Sequence, residues 1–352
     1  MRRLLQASAG RVVTTRVVAV PVLTVAVIAT VITGCVNPAY RNPNTPQPIL
    51  SPAHSRPVRV SLPATPASYL GVFEPSVQKR SYGQVARFTK VIGSQPNLVL
   101  GYSYWGEPFA TSLARQAEAH GATVVDDLDP TGPSVASIAA GDQDGYLEAF
   151  AQAVRNFGGP VIISFGHEMN GNWYSWGWTN TSPSVFVKAW RRIVTVFRVA
   201  GADNVTWLWT VNLITANGPA IRHWWPGASY VTWAGIDGYL AERYMNFSNT
   251  FAPTVSAIRQ ITAKPILISE TAVGQLAGQA AGIPGLFAGV ARAHLLGLIW
   301  FDKAQSGGTW AQDWRLEGHP ASEYALRRAV KQYLNLPLPP RMSSRISAAP
   351  SG

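Results

Sequence analysis

Eight short apolar runs separated by amphipathic segments most constrain the fold of this 352-residue chain. Each run is a strand candidate, because it is brief and rich in β-branched and aromatic residues. The runs begin at residues 69, 97, 122, 160, 204, 230, 265 and 295 and read YLGVF, NLVLGYS, ATVVDD, PVIISF, NVTWLWT, YVTWAGID, PILISE and LLGLIWFD. Strands that alternate with helices predict right-handed βαβ units and a parallel sheet.

Helical patterns lie between these runs, and Pro183 and Asp144 stand where two of them start. The patterns cover residues 82–92, 109–120, 145–157, 183–200, 250–262, 279–294 and 320–334. Residues 212–229 show no clear helical pattern, which predicts a long loop that contains at most a short helix. Eight such units over about 270 residues predict an α/β fold, a closed (β/α)8 TIM barrel that forms one domain over residues 67–336. A Rossmann fold is disfavoured because GVFEPS, not a glycine fingerprint, follows the first strand.

The amino-terminal region predicts export. Residues 1–35 combine an arginine-bearing start with an apolar run at residues 17–32, which is shorter than the roughly 20 residues of a membrane-spanning helix. They form a predicted signal peptide that ends at Cys35, the only cysteine. The ITGC sequence there resembles a bacterial lipoprotein box, so Cys35 is the expected lipidation site. An incidental cysteine in a signal or uncleaved anchor is the alternative. We expect an extracellular protein, or a lipoprotein on the outer face of the cell membrane.

Two further segments lack periodic apolar positions. Residues 36–66 are proline-rich and predict a disordered linker, and residues 337–352 predict a disordered tail. The formal charge of +11 does not indicate nucleic-acid binding, because residues 1–60 carry seven arginines and no acidic residue and leave +4 for the rest. We expect a monomer whose only membrane contact is the possible lipid anchor.

In a barrel of this kind the functional residues lie at the carboxyl ends of the strands. The polar residues at these ends are Glu74, Glu107, Asp126, Asp127, His167, Glu168, Asn212, Asp237, Tyr239, Glu270 and Asp302. So many carboxylates without a basic cluster predict an active site at this rim. Glu74 and Glu107 fit either rim structure or contacts with substrate hydroxyls. Asp142 and Asp144 lack the spacing of a calcium loop and fit helix capping better.

Glu168 and Glu270 each follow a buried-type strand directly. Hydrolysis of a glycosidic bond needs such a pair, one carboxylic acid to protonate the leaving oxygen and one carboxylate to attack the anomeric carbon. A separation of about 5 to 5.5 Å gives retention of configuration, and a wider one gives inversion. Two buried structural carboxylates are the alternative, disfavoured because unpaired buried acids are costly. The chemistry requires no metal or organic cofactor.

Aromatic residues crowd the stretch behind Glu168. Sugar rings stack on aromatic faces, which predicts sugar contacts for Trp173, Tyr174, Trp176, Trp178 and Trp300. Tryptophans inside the strand runs, at 207, 209 and 233, fit barrel packing better.

The motif HEMNGNWYSWGW at residues 167–178 resembles the acid/base motif of glycoside hydrolase family 26, whose members include endo-β-mannanases, mixed-linkage β-glucanases and β-1,3-xylanases. KPILISET resembles the family's nucleophile strand, and YLGVFEP, GYLEAFAQAV, PGASYVTWAGIDGY and GLIWFD extend the similarity over about residues 69–334. Many members carry an arginine shortly before the histidine, where this chain has Ser164 and Phe165.

The resemblance implies that Glu168 is the general acid/base and Glu270 the nucleophile. It implies that His167 binds substrate or tunes the carboxyl groups, that Tyr239 contacts the nucleophile and that Trp300 lies under the sugar at the cleaved bond. Asn170 and Trp173 belong to the same motif and are expected at the substrate.

The expected function is therefore that of a retaining endo-β-glycanase with polysaccharide or oligosaccharide substrates, β-1,4-mannan first. A mixed-linkage β-glucanase of the same family and a non-catalytic carbohydrate-binding barrel of the cell envelope are the alternatives.

Overall fold

The computed structural model describes residues 61–307 and 311–336. The predicted signal peptide with Cys35, most of the predicted linker and the predicted tail at 337–352 lie outside these residues. Within the described part of the chain, no helix combines the length and the apolar character needed to cross a membrane.

Eight parallel strands close into a barrel in the order of the sequence, and β8 pairs with β1. The strands are β1 (Tyr69–Phe73), β2 (Leu98–Tyr104), β3 (Thr123–Asp129), β4 (Val161–Phe165), β5 (Val205–Asn212), β6 (Trp233–Asp237), β7 (Ile266–Thr271) and β8 (Gly297–Phe301). Each coincides with one of the apolar runs to within a few residues, so the predicted (β/α)8 TIM barrel is confirmed.

The helices surround the barrel. They are α1 (Pro75–Gln78), α2 (Gly83–Ile92), α3 (Thr111–Ala119), α4 (Val135–Ala140), α5 (Asp144–Phe157), α6 (Pro183–Val199), α7 (Phe247–Thr250), α8 (Ala252–Arg259), α9 (Gln279–Arg292) and α10 (Pro320–Tyr333). A short 3-10 helix, Ile221–Trp224, lies in the connection that was predicted to be mostly loop. The predicted helix over residues 250–262 is two helices that meet at Phe251.

The core lies inside the barrel and between strands and helices. Every residue of β1, β3, β4, β6 and β8 is buried, as expected for parallel strands covered on both faces. Trp207, Trp209 and Trp233 are at most 6% exposed, which confirms their predicted packing role.

The capping role predicted for Asp142 and Asp144 is wrong. Helix α5 begins at Asp144 without a side-chain cap. The Asp144 carboxylate instead accepts hydrogen bonds of 2.7 and 2.6 Å from the Arg192 guanidinium of α6. These two residues therefore connect neighbouring helices on the outside of the barrel.

Candidate active site

A cleft of about 920 Å³ lies at the carboxyl ends of the strands. Every strand supplies a lining residue from its last positions or from the residues that follow it: Phe73, Tyr102, Asp129, Glu168, Asn212, Tyr239, Glu270 and Phe301. Both predicted catalytic glutamates thus lie in one cleft.

The turn after β4 holds Glu168. Its backbone N–H donates to the Thr210 carbonyl of β5 at 3.1 Å, and its own carbonyl accepts from Gly171 at 2.7 Å. The φ angle of Glu168 is 54°, a left-handed conformation that is uncommon outside glycine. Such conformations persist only where the surrounding structure enforces them, and they cluster at functional sites.

Two donors position the Glu168 carboxyl group. The Trp173 indole N–H lies 2.8 Å from one oxygen, and the Asn212 amide lies 2.5 Å from the other. Asn212 is itself held by Asn170, whose side chain bonds the Asn212 backbone carbonyl at 2.9 Å and N–H at 2.8 Å. Asn170, expected at the substrate, does not line the cleft and acts through Asn212.

The pKa of Glu168 is raised above its ordinary value. Burial is the largest cause; the charge on His167 lowers the pKa, and the nearby Glu270 carboxylate raises it. A raised pKa favours the protonated form of the carboxyl group, and a general acid needs that form.

Glu270 lies in β7 and accepts hydrogen bonds from two phenols. Tyr239 donates to one carboxylate oxygen, as the sequence predicted, and Tyr102 donates to the other. Burial, and after it the Glu270 charge, raises the pKa of both phenols well above 10, so both remain protonated donors. Tyr102 was not predicted, although strand alternation puts it on the same face of β2 as Tyr104, which also lines the cleft.

His167 lies between an acid and a phenol. Its Nδ1 is 3.0 Å from Asp129 Oδ1, and its Nε2 is 3.1 Å from the Tyr174 hydroxyl. Burial lowers the pKa of His167, but the charges of Asp129 and Asp127 raise it. The pKa of His167 therefore lies well above its ordinary value. The ring is therefore an imidazolium next to the acid.

Residues 61–307 and 311–336 contain no cluster of three or more His, Cys, Asp or Glu side chains suited to a metal ion.

Two of the aromatic residues that follow Glu168 stabilise the site by packing and hydrogen bonding. Tyr174 and Trp176 stack with ring centroids 4.3 Å apart, and the buried Trp176 indole donates to the His167 carbonyl at 2.8 Å. Gly177 permits this packing, since a Cβ there would lie 2.3 Å from the Gly171 carbonyl oxygen. Trp173 is 56% exposed and offers a free face to a ligand.

The aromatic prediction for Trp300 needs correction. Trp300 is fully buried and does not line the cleft; its indole donates to the Trp314 carbonyl at 3.3 Å. Trp314 lines the cleft instead and packs on Tyr239 with ring centroids 4.6 Å apart. Trp178 is exposed and lies outside the residues that line the cleft, so its sugar contact stays a prediction.

The rim glutamates are structural. Glu107 pairs with Arg80 at 3.0 Å, and neither Glu107 nor Glu74 lines the cleft. Glu74 is buried beside Asp302, whose carboxylate accepts from the Leu316 N–H at 2.8 Å. Burial, and then the Asp302 charge, raises the pKa of Glu74 to about 10.

This raised pKa predicts a loss of stability in alkali. The folded protein keeps a proton on Glu74 that the unfolded chain releases near pH 4.5, so its stabilising contribution falls as pH rises from there towards 10. Glu74→Gln mimics the protonated acid, and a tenfold difference in proton affinity between the folded and unfolded states corresponds to about 1.4 kcal/mol. We expect the variant to lose less stability than the wild type between pH 5 and pH 9 in urea unfolding. Parallel pH curves for the two proteins would contradict this.

Comparisons with known proteins show similarity to glycoside hydrolases. The model for glycosyl hydrolase family 26 matches residues 135–278, a segment that contains both glutamates. Endoglucanase H of Acetivibrio thermocellus is 27% identical over 64% of this chain, and a mannan endo-1,4-beta-mannosidase of Bacillus subtilis is 30% identical over 34% of it. The chain spans 26% of the first protein and 32% of the second.

Similarity to solved structures extends over the barrel. A Cellulomonas fimi endo-beta-1,4-mannanase double mutant superposes with a TM-score of 0.61 at 14% identity, covering 77% of this chain and 72% of that one. This likeness concerns the fold, whereas the family match includes the segment that carries Glu168 and Glu270. Over residues 135–278 the chain is therefore similar to glycosyl hydrolase family 26.

Proposed function

We propose that this protein is a retaining endo-β-glycanase that hydrolyses a β-linked polysaccharide, β-1,4-mannan first, by a two-glutamate double displacement. The observation that carries the proposal is the pair in one cleft: Glu168 has a raised pKa, and Glu270 accepts hydrogen bonds from two phenols. These surroundings suit a proton donor and an ionised nucleophile, respectively.

The reaction has two halves. In the first, Glu168 gives its proton to the glycosidic oxygen as the bond between that oxygen and C1 breaks, and a Glu270 oxygen bonds to C1. One sugar chain leaves with a new hydroxyl group, and the other remains as an ester of Glu270. In the second half, Glu168, now a carboxylate, takes a proton from water while the water oxygen bonds to C1 and the ester bond breaks. Both glutamates then regain their starting protonation states.

His167 and Asn212 have supporting parts in this scheme. The His167 imidazolium lowers the pKa of Glu168 and so limits the rise that burial causes. This keeps the acid strong enough to protonate a leaving oxygen. The amide of Asn212 and the indole of Trp173 fix the carboxyl group in the cleft.

The relatives support the choice of substrate. Their names include mannan endo-1,4-beta-mannosidase, which favours mannan, and Endoglucanase H, which keeps mixed-linkage β-glucan as the second candidate.

We also propose that the protein acts outside the cell, exported by residues 1–35 or anchored through a lipid on Cys35. Fractionation of the producing cells, with mass spectrometry of the mature amino terminus, tests the location.

The direct test is release of reducing ends by the full-length protein. The panel contains mannan, galactomannan, glucomannan, mixed-linkage β-glucan and β-1,3-xylan. We expect a mannan to be cut internally, with an early fall in viscosity, and NMR to show first-formed products of unchanged anomeric configuration. Products of inverted configuration would overturn the double displacement, and cleavage of β-glucan alone would reassign the substrate.

One observation favours a non-catalytic carbohydrate-binding barrel as the second candidate. Ser164 lies where many family members have an arginine; it is fully buried and bonds the Thr210 hydroxyl at 3.0 Å, so it cannot supply a positive charge. Calorimetry that shows oligosaccharide binding, with no release of reducing ends by the wild type, would favour this candidate.

A further inference from the structure

We propose that Tyr102 is a further catalytic residue, which with Tyr239 forms a phenol cradle that stabilises the charge of the Glu270 carboxylate. The phenol cradle is defined as the hydroxyl groups of Tyr102 and Tyr239 on the two oxygens of Glu270. The inference rests on the proposed function, because Glu270 must be ionised to attack C1. Hydrogen bonds to the charged form of a carboxyl group favour that form.

Tyr102 is held in place before any substrate binds. The Gln78 side chain from the end of α1 bonds the Tyr102 carbonyl at 2.9 Å and its N–H at 3.3 Å. The Tyr102 ring packs edge-on against Phe73 at 5.3 Å and is tilted against His167 at 5.6 Å. A donor fixed in this way needs no reorganisation during the reaction, which is the condition for effective electrostatic stabilisation.

The charges around Glu270 explain why neutral donors matter here. Among the described residues that line the cleft there is no arginine, and the one lysine is Lys303 after β8. The His167 imidazolium also lines the cleft, but it pairs with Asp129 at 3.0 Å. No described lysine, arginine or histidine lies within 4.0 Å of the Glu270 carboxylate. Asp237 and Glu168 lie close enough for the Glu270 charge to raise the pKa of each, after burial as the largest cause. The phenols therefore supply the stabilisation that a cation would otherwise give.

The phenol cradle acts in both halves of the reaction. Before attack it stabilises the Glu270 carboxylate, and one of its donors must weaken when the oxygen that it contacts bonds to C1. In the second half Glu270 is the leaving group, and donors on its oxygens stabilise the charge that returns as the ester bond breaks. Loss of the Tyr102 hydroxyl should therefore reduce turnover. The exposed ring of Trp173, on which a sugar can stack, is unchanged in such a variant.

The kinetic test compares Tyr102→Phe with the wild type in the full-length protein. Loss of a hydrogen bond to a charged group predicts a fall in kcat of on the order of 10- to 100-fold, with KM changed much less. The acidic limb of the pH profile of kcat/KM should also move to higher pH, because the charged form of the nucleophile has lost one hydrogen-bond donor.

Tyr69→Phe is the matched control. Its hydroxyl bonds the Pro63 carbonyl at 2.7 Å at the amino-terminal end of β1, so this variant also loses one phenol hydrogen bond from a barrel strand, far from the cleft. We expect its kcat and pH profile to match those of the wild type. Equal losses in both variants would show that the Tyr102 effect is one of stability, and the inference would fail.

A measurement without turnover separates this inference from the proposed function. Carbon-13 NMR of protein labelled at the glutamate carboxyl carbons reports the hydrogen bonds of Glu270, whose signal is identified by its loss in Glu270→Gln. We expect this signal to move in Tyr102→Phe, because the carboxylate loses one donor, and to stay in place in Tyr69→Phe. A moved signal in Tyr102→Phe, together with a wild type that cuts nothing, supports the phenol cradle and rejects the enzyme. An unmoved signal in Tyr102→Phe overturns the phenol cradle, whatever the activity.

Discussion

Glu270→Ala is expected to lower the turnover of the polysaccharide by on the order of 10² or more. The variant lacks the oxygen that attacks C1, so no glycosyl ester forms and only slow direct attack by water remains. Binding should persist, because Trp173, the exposed aromatic face of the cleft, is unchanged. Measurement of kcat/KM on the polymer that the panel identifies, with calorimetry of an oligosaccharide, separates the two effects.

Azide tests whether the lost group is the nucleophile. Removal of the Glu270 side chain leaves space between Tyr102 and Tyr239, where a small anion can attack C1 from the same side. The product should be a glycosyl azide with inverted configuration, formed faster as the azide concentration rises. Glu148→Ala, on the exposed surface of α5, is the matched control and should behave as the wild type. A wild-type rate in Glu270→Ala would remove Glu270 from the mechanism.

The strands and the place of the two glutamates were predictable from the sequence. Each apolar run in a parallel barrel is buried on both faces, so hydrophobicity alone reveals it. The carboxyl end of such a strand then locates Glu270, and the turn after β4 locates Glu168. Helices α1 and α4 escaped prediction because four and six residues are too few to show a helical period.

Contacts between distant parts of the chain were not predictable. Trp300 lies near the end of β8. Two residues that follow this strand, Ala304 and Asp313, form an antiparallel bridge. This pairing covers Trp300 and puts Trp314 into the cleft. Nothing in the local sequence of Trp314 indicates this position, because it depends on the pairing of Ala304 with Asp313.

The role of Tyr102 is an intermediate case. Strand alternation predicts which face of β2 it occupies, but that face holds several side chains. Its bond to Glu270 joins residues that are 168 positions apart and depends on closure of the barrel. Glu74 shows the same limit, since its raised pKa comes from burial and from Asp302, which lies at the far end of the sequence.

Glu168→Ala is expected to lose polysaccharide turnover by on the order of 10² or more, because the leaving sugar oxygen then departs without a proton. The pKa of Glu168 is raised, so the wild type should lose activity as alkali removes this proton, and the variant should lack that alkaline limb. Aryl glycosides with acidic phenols need no protonation to leave. With them the variant should show a burst of phenol, because the first half remains fast while the second half lacks its base.

The contrast between polymer and aryl glycoside distinguishes a lost acid from a damaged fold. Trp173 and Asn212 lose a shared acceptor in Glu168→Ala, so some local rearrangement is expected, and it would slow both substrates alike. A lost acid slows the polymer far more than the activated glycoside. Equal slowing of both would mean that Glu168 serves the structure of the cleft and not proton transfer, and the proton donor would then have to be sought among the other acids of the rim.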